Sequence, residues 1–387
     1  MWKCNRNSLS LLLAALMLAG CAGKVSQPVA TLPEIPYSPL LETANTPVPS
    51  LADIFVLTQA QQTEFLTYYN APSRQHIAGH RRIYRFLSEH FSGFNYQGKN
   101  YTATQAFALK SGNCITLAVL TKALADIVGV DVKFQTIVSA PLYSIENDFM
   151  LSSDHVRTFV YAPDFTPEKN TIYFSTPGIV IDYMPAAGDM TGPRISHSTF
   201  VAMFYRNLAA DAILSGQYAQ ALALLRTALN YAPTYGAAIN LVAVIHRRLQ
   251  QESLAEQFYL YGLNVADSKA TLIGNYAVLK QSVGEPEVAT QLLQSLQALD
   301  EHDPYLWYSL GLNAAKAEQY QQAIAFFKKA AAQAPYLHQF QFELALAYFN
   351  NNQPGLAYSS LTKAAELSAA TEQQRYYAKL EALALRR

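Results

Sequence analysis

The sequence predicts an α+β domain followed by an all-α repeat region, and two patterns carry that expectation. After about Ala202 strand signals vanish, and alanine recurs at Ala221, Ala255, Ala289, Ala323 and Ala357, each 34 residues after the last. Between Tyr101 and Pro185 a helical stretch is followed by runs that alternate apolar and polar residues, the order of an α+β unit. A length of 387 residues suits more than one domain, and a hydrophobic fraction of 51% is ample for packed cores. Lysine plus arginine number 28, as do aspartate plus glutamate, so there is no basic surplus for nucleic acid.

In chain order, Lys3 and Arg6 precede an apolar run, Leu9 to Gly20, that is too short to span a bilayer and reads as a signal peptide. It closes on "LAGC", Leu18 to Cys21, which resembles the bacterial lipobox. The resemblance implies cleavage after residue 20 and lipidation of Cys21. Ala22, rather than Asp, follows the cysteine, which implies an outer-membrane anchor facing the periplasm. Residues 21–50 carry Pro28, Pro33, Pro36, Pro39, Pro47 and Pro49, the composition of an extended tether that packs in no core. Cys4 leaves with the leader and Cys21 takes the lipid, so Cys114 is the remaining thiol of the mature chain.

Two helices are expected between Leu51 and about Phe94, the first capped by Ser50 and the second over "SRQHIAGHRRIYRFLSEHF". "TATQAFALK" reads as a short helix, and "CITLAVLTKALADIV" as a longer one stopped by Gly129. "VDVKFQTIV", "HVRTFVYA" and "TPGIVIDYMP" read as strands. "RISHSTF", with His197, looks like an interdomain linker. His76 and His80 are read as surface histidines, because no third ligand stands at a supporting spacing. No metal and no cofactor are expected, and there is no Gly-rich phosphate loop.

Cys114 opens its helix, where unsatisfied N–H groups and the positive dipole end favour thiolate over thiol. His155 begins one strand and Asp182 ends the next, so adjacent strands let the carboxylate orient the imidazole. Asp154 points to the opposite face and is the poorer partner. Gly112, Cys114, "VKFQTIV", His155 and "VIDYMP" together resemble the transglutaminase-like superfamily, which belongs to the papain-like cysteine enzymes. The resemblance covers about Tyr101 to Pro185. It implies Cys114 as nucleophile, His155 as general base and acid, and Asp182 as orienting carboxylate. Ile115 stands where many members have an aromatic residue, and "SAPLYSIENDFMLSSD" extends the Cys–His segment.

The 34-residue period resembles the tetratricopeptide repeat. "PYLWYSLGLNAAKAEQYQQAIAFFKKAAAQAP" matches it best, through Trp307, Leu310, Gly311, Tyr320, Ala323, Phe327, Ala330 and Pro335. Pro286 and Pro354 stand where an aromatic is expected in the third and fifth units. The domains read as 1–20 leader, 21–50 tether, 51–200 cysteine domain, 202–371 five repeats and 372–387 capping helix. The resemblances together imply a papain-like/transglutaminase-like domain followed by a tetratricopeptide-repeat solenoid. Two functions are open. One is amide or peptide-bond hydrolysis or acyl transfer at Cys114, His155 and Asp182, directed by a protein or peptide partner in the repeat groove. The other is an inactive scaffold in which the repeats do the binding.

Overall fold

The computed structural model describes residues 32–44, 46–96, 98–138, 145–146, 149–150, 155–163, 165–167, 171, 176–183, 185, 189–297 and 304–384. Cys4, the lipobox with Cys21, and Asp154 lie outside these. From Ile35 onward the chain packs as one compact unit. Among the described residues no helix is long and apolar enough to cross a membrane.

The first elements are α1 (Pro39–Thr43), α2 (Leu51–Phe55) and α3 (Gln59–Tyr69), followed by α4 (Gly79–His90). The single helix expected from Leu51 is two, because Thr58 starts a new one. Its side chain takes the Gln61 N–H and the Gln61 side chain takes its own, a capping box that competes with continuation. The second expected helix is shortened in the same way. Pro72 disfavours helix at Ala71, and regular turns begin only at Gly79. His76 is therefore off the helix, and His80, read as a surface residue, is buried.

Next come β1 (Asn95–Tyr96), α5 (Ala103–Leu109), β2 (Ser111–Gly112), α6 (Cys114–Ile127), β3 (Val132–Val138), β4 (Ile145–Glu146), β5 (Phe149–Met150), β6 (His155–Tyr161), β7 (Gly178–Asp182) and β8 (Met190–Ile195). β3, β6, β7 and β8 form one antiparallel sheet in the order β7-β6-β3-β8. The strand β8 was not expected from "MTGPRI". Pro193 lacks an N–H, which an edge position tolerates, and Gly192 fits where Thr136 comes close. The expected linker "RISHSTF" is the end of that strand and the start of a helix capped by Ser196.

That helix is α7 (His197–Leu214), and ten more follow: α8 (Tyr218–Tyr231), α9 (Gly236–Arg248), α10 (Glu252–Val265), α11 (Ala270–Ser282), α12 (Pro286–Gln297), α13 (Pro304–Lys316), α14 (Tyr320–Gln333), α15 (His338–Asn350), α16 (Pro354–Leu367) and α17 (Ala370–Ala384). The second helices of the pairs start at Tyr218, Glu252, Pro286, Tyr320 and Pro354, each 34 residues after the last. Pro286 and Pro354 replace an aromatic without cost to the period, because proline is at home in the first turn of a helix. The five period-marking alanines are at most 2% exposed. A side chain larger than alanine there would push paired helices apart.

One apolar cluster runs from Phe65, Leu120 and Val156 into Phe204, Leu225 and Phe258, so the sheet domain and the first repeats share a core. Phe134 of β3 stacks on Phe200 of α7 at 3.8 Å, and full burial of such a ring contributes about 2–3 kcal/mol.

The proline-rich stretch departs most from expectation. Beyond Ile35 it is not a free spacer but a strap on the first repeat. Leu41 is buried, and Ser38 caps α1 from a fully buried position. Arg226 of α8 donates to the carbonyls of Leu41 and Ala44, both at 3.2 Å, and to that of Glu42. Gln220 donates to Pro47 O at 3.0 Å and Tyr205 to Pro49 O at 2.6 Å. Proline removes backbone donors but leaves carbonyls, and side chains of the repeats satisfy them.

Candidate functional site

The end of the sheet nearest Cys114 is defined by topology. A turn at Gly129 (φ +66) sends β3 back along α6. β6 is antiparallel to β3 and packs on α6, so α6 and β6 start at the same end. The Tyr183 hydroxyl joins the two midway, 2.8 Å from Thr121 Oγ1 on α6 and 2.6 Å from Thr158 Oγ1 on β6. Cys114 lies seven helical residues before Thr121, and His155 three strand residues before Thr158, each roughly 10 Å along its element. Both therefore stand at one level, and both are buried.

His155 pairs with Ile137 in β3, and Asp182 lies beside Arg157 in the neighbouring pair of strands. The offset brings His155 Nε2 to 3.2 Å from Asp182 Oδ1. With Nε2 on the carboxylate, Nδ1 is the ring atom that would exchange a proton with a nucleophile. Asp189, which the sequence did not single out, adds a second carboxylate. His155, Asp182 and Asp189 each place one donor atom within 4.8 Å of the others. No spacing in the sequence suggested this trio, because a loop brings Asp189 in. Two carboxylates about one imidazole suit its orientation, or a bound cation.

Tyr96 is a further neighbour that pattern reading missed. β1 and β2 pair Tyr96 with Gly112, two residues before Cys114, and the Tyr96 hydroxyl donates to Tyr183 O at 2.6 Å. Burial, then the charge available to Cys114, hold this hydroxyl above its ordinary range. Burial does the same to Tyr183, with smaller contributions from Cys114 and Asp182.

The start of α6 is built by Asn113. Its Oδ1 caps the Thr116 N–H at 3.0 Å, and its carbonyl takes the Leu117 N–H. Its Nδ2 donates to Asn100 Oδ1 at 3.0 Å and to Gly98 O at 3.3 Å. Asn100 also favours the charged form of the Asp211 carboxyl on α7.

Burial pushes the Asp211 carboxyl up to about 6, with Asn100 and Lys99 opposing it. An aspartate in the unfolded chain titrates near 3.9. Between those values the folded protein keeps a proton that the unfolded chain has lost, so this group's contribution to stability declines as pH rises from about 4 to about 6. Asp211→Asn removes a decline of about 1–2 kcal/mol, since the group is partly solvated. The measurement is the wild-type minus variant difference in denaturation free energy against pH, and a flat difference across that window refutes it.

A second feature is a groove of about 840 Å³ lined by the first helices of four successive pairs, α7, α9, α11 and α13, and closed at one end by Thr136, Pro193 and Ile195 of the sheet. Asn240, Asn275 and Asn313 lie along it, with Asn275 Nδ2 donating to Asn240 Oδ1 at 2.9 Å. Arg206, Arg247, Arg248 and Lys316 face it, against Asp267.

No family model matches the chain, and no curated protein matches it. Among solved structures it is similar to PilF of Pseudomonas aeruginosa, with 20% identity over 48% of this chain and 90% of that one and a TM-score of 0.32. It is similar to PilW, named a widely conserved type IV pilus biogenesis factor, with 21% identity over 47% and 93% and a TM-score of 0.33. It is also similar to YrrB, a TPR protein named for an unusual peptide-binding site, with 18% identity over 46% and 92% and a TM-score of 0.30. The tetratricopeptide-like character of the solenoid rests on its own helix pairs and their 34-residue step.

Proposed function

We propose that this protein is a scaffold that holds an extended protein segment in the groove of its helical repeats. The observation that carries this is the groove itself, about 840 Å³, continuous over four repeats and lined by amides, arginines and tyrosines. Amide side chains can pair with the backbone of an extended chain, and Tyr235 and Tyr305 supply contact area at low entropic cost. The lipobox-like "LAGC" supports an anchor at Cys21 in a bacterial envelope, at the outer membrane by the Ala22 reading, with no nucleic acid involved. The test is photocrosslinking in the living cell from a probe at Asn313, with Leu260, exposed and outside the groove lining, as the comparison. Adducts form from position 313 and are lost when Ala237→Trp, at a partly exposed lining position, fills the groove. Adducts that ignore Ala237→Trp refute the reading.

The His155–Asp182 pair favours a second reading, thiol chemistry at the sheet end. Here the Cys114 thiolate attacks an amide carbonyl, His155 gives its proton to the leaving amine, and Asp182 holds the ring. Water or an amine then takes the acyl group. Cys114→Ala separates the two: it leaves scaffold adducts intact and removes trapped acyl-enzyme.

A further inference from the structure

Arg206 and Asn207 sit on α7, the first repeat helix, and all but about a tenth of each is buried. Arg206 also lines the groove. Its Nη1 donates to Asn207 Oδ1 at 2.9 Å, and Asn207 Nδ2 reaches Asn100 Oδ1 at 3.4 Å. The same Asn100 oxygen takes Asn113 Nδ2, and Asn113 Oδ1 caps α6 at Thr116. Three asparagines thus connect the groove wall to the cap of the helix that Cys114 opens.

The chemistry of the amide gives this chain a direction. A primary amide has one accepting end and one donating end. Arg206 has donors only, so it draws the oxygen of Asn207 toward itself and turns the nitrogen toward Asn100. Asn100 presents its oxygen to both neighbours, because Asn207 and Asn113 each turn an amide nitrogen toward it. Asn113 must then donate with Nδ2 and present Oδ1 to the Thr116 N–H. If its amide were reversed, a donor would face a donor and the cap would be lost.

We infer that the first repeat helix completes the cysteine site, with Arg206 and Asn207 acting as positioning residues that fix the Asn113 cap through Asn100. The helix start that favours thiolate at Cys114 is then held in place from the repeats. This rests on the second reading, that Cys114 reacts as a thiolate.

The experiment is alkylation of the full chain by iodoacetamide at several pH values, with the Cys114 peptide quantified by mass spectrometry to separate it from Cys4 and Cys21. Asn207→Ala slows alkylation at neutral pH about threefold and moves the midpoint of the profile upward, an effect on the scale of a lost cap. Arg206→Gln does the same to a smaller degree and stands in if Asn207→Ala fails to fold. Asn113→Asp supplies the control, because a carboxylate caps Thr116 in either orientation. In that background Asn207→Ala changes nothing further. Two results overturn the inference: rates and midpoints unchanged in folded Asn207→Ala and Arg206→Gln, or a shift that persists undiminished with Asp at 113. The wild-type midpoint is read separately. An ordinary thiol value sinks the thiolate reading, while the difference between variants still decides the relay.

Discussion

His155→Ala is expected to cost Cys114 its reactivity as a nucleophile, by about tenfold in alkylation at neutral pH and by about 10² to 10⁴ in any amide turnover, the range that a positioned general base supplies. As an imidazole, His155 can take the proton from sulfur and return it to a leaving amine. Its ring is held by Asp182 Oδ1 at 3.2 Å, on a strand that starts level with Cys114. Alkylation and turnover differ because alkylation needs only the thiolate, whereas amide cleavage also needs a proton delivered to nitrogen. Asp182→Asn is expected to spare much of the alkylation rate and lose most of the turnover, since an amide can accept from Nε2–H or donate to Nε2 and no longer selects the tautomer. Iodoacetamide kinetics with mass spectrometry of the Cys114 peptide, beside trapping of acyl groups from envelope extract, make the comparison. Equal alkylation rates in wild type and His155→Ala would remove His155 from the chemistry.

What the sequence made legible depended on how local the physical demand was. A 34-residue helix pair needs a small residue where its helices touch, so Ala221 and its four equivalents mark the period whatever else drifts. The strand with His155 alternates buried and half-buried residues because one face packs on α6, whereas the strand with Asp182 lies against α4. β8 was hidden because an edge strand has no need of the usual strand residues and tolerates Pro193. The strap was read as extended from its prolines, but its docking depends on Arg226, about 180 residues away, which no local pattern announces. The cap network was illegible for the same reason. Asn100 meets Asn207 across 107 residues, and neither stands in a periodic pattern. Asp189 belongs with these, since a loop delivers it.

Gly112→Ala should be the most damaging small substitution near the site, at about 3–4 kcal/mol, from backbone strain and overpacking together. Gly112 has φ +143, a conformation that side-chain-bearing residues seldom adopt. A Cβ there would stand 2.5 Å from Thr116 Cγ2, 2.7 Å from its Cβ and 2.8 Å from its Oγ1. Thr116 cannot step aside cheaply. It is fully buried, its N–H is capped by Asn113, and its hydroxyl accepts from the Tyr101 N–H at 3.0 Å. A native state is usually stable by only about 5–15 kcal/mol, so this loss is a large fraction of the whole. The damage is also aimed: displacing Thr116 opens the cap, and displacing Gly112 breaks its pairing with Tyr96. Gly98→Ala is the matched control, since nothing lies within 4 Å of a Cβ at that position. Chemical denaturation of the two variants should differ by nearly the full amount, and Thr116→Ser in the Gly112→Ala background should recover part of it by removing the closest clashing atom. Equal stability of Gly112→Ala and Gly98→Ala would mean that the chain can enter α6 by another path, and the cap would then owe nothing to the turn that precedes it.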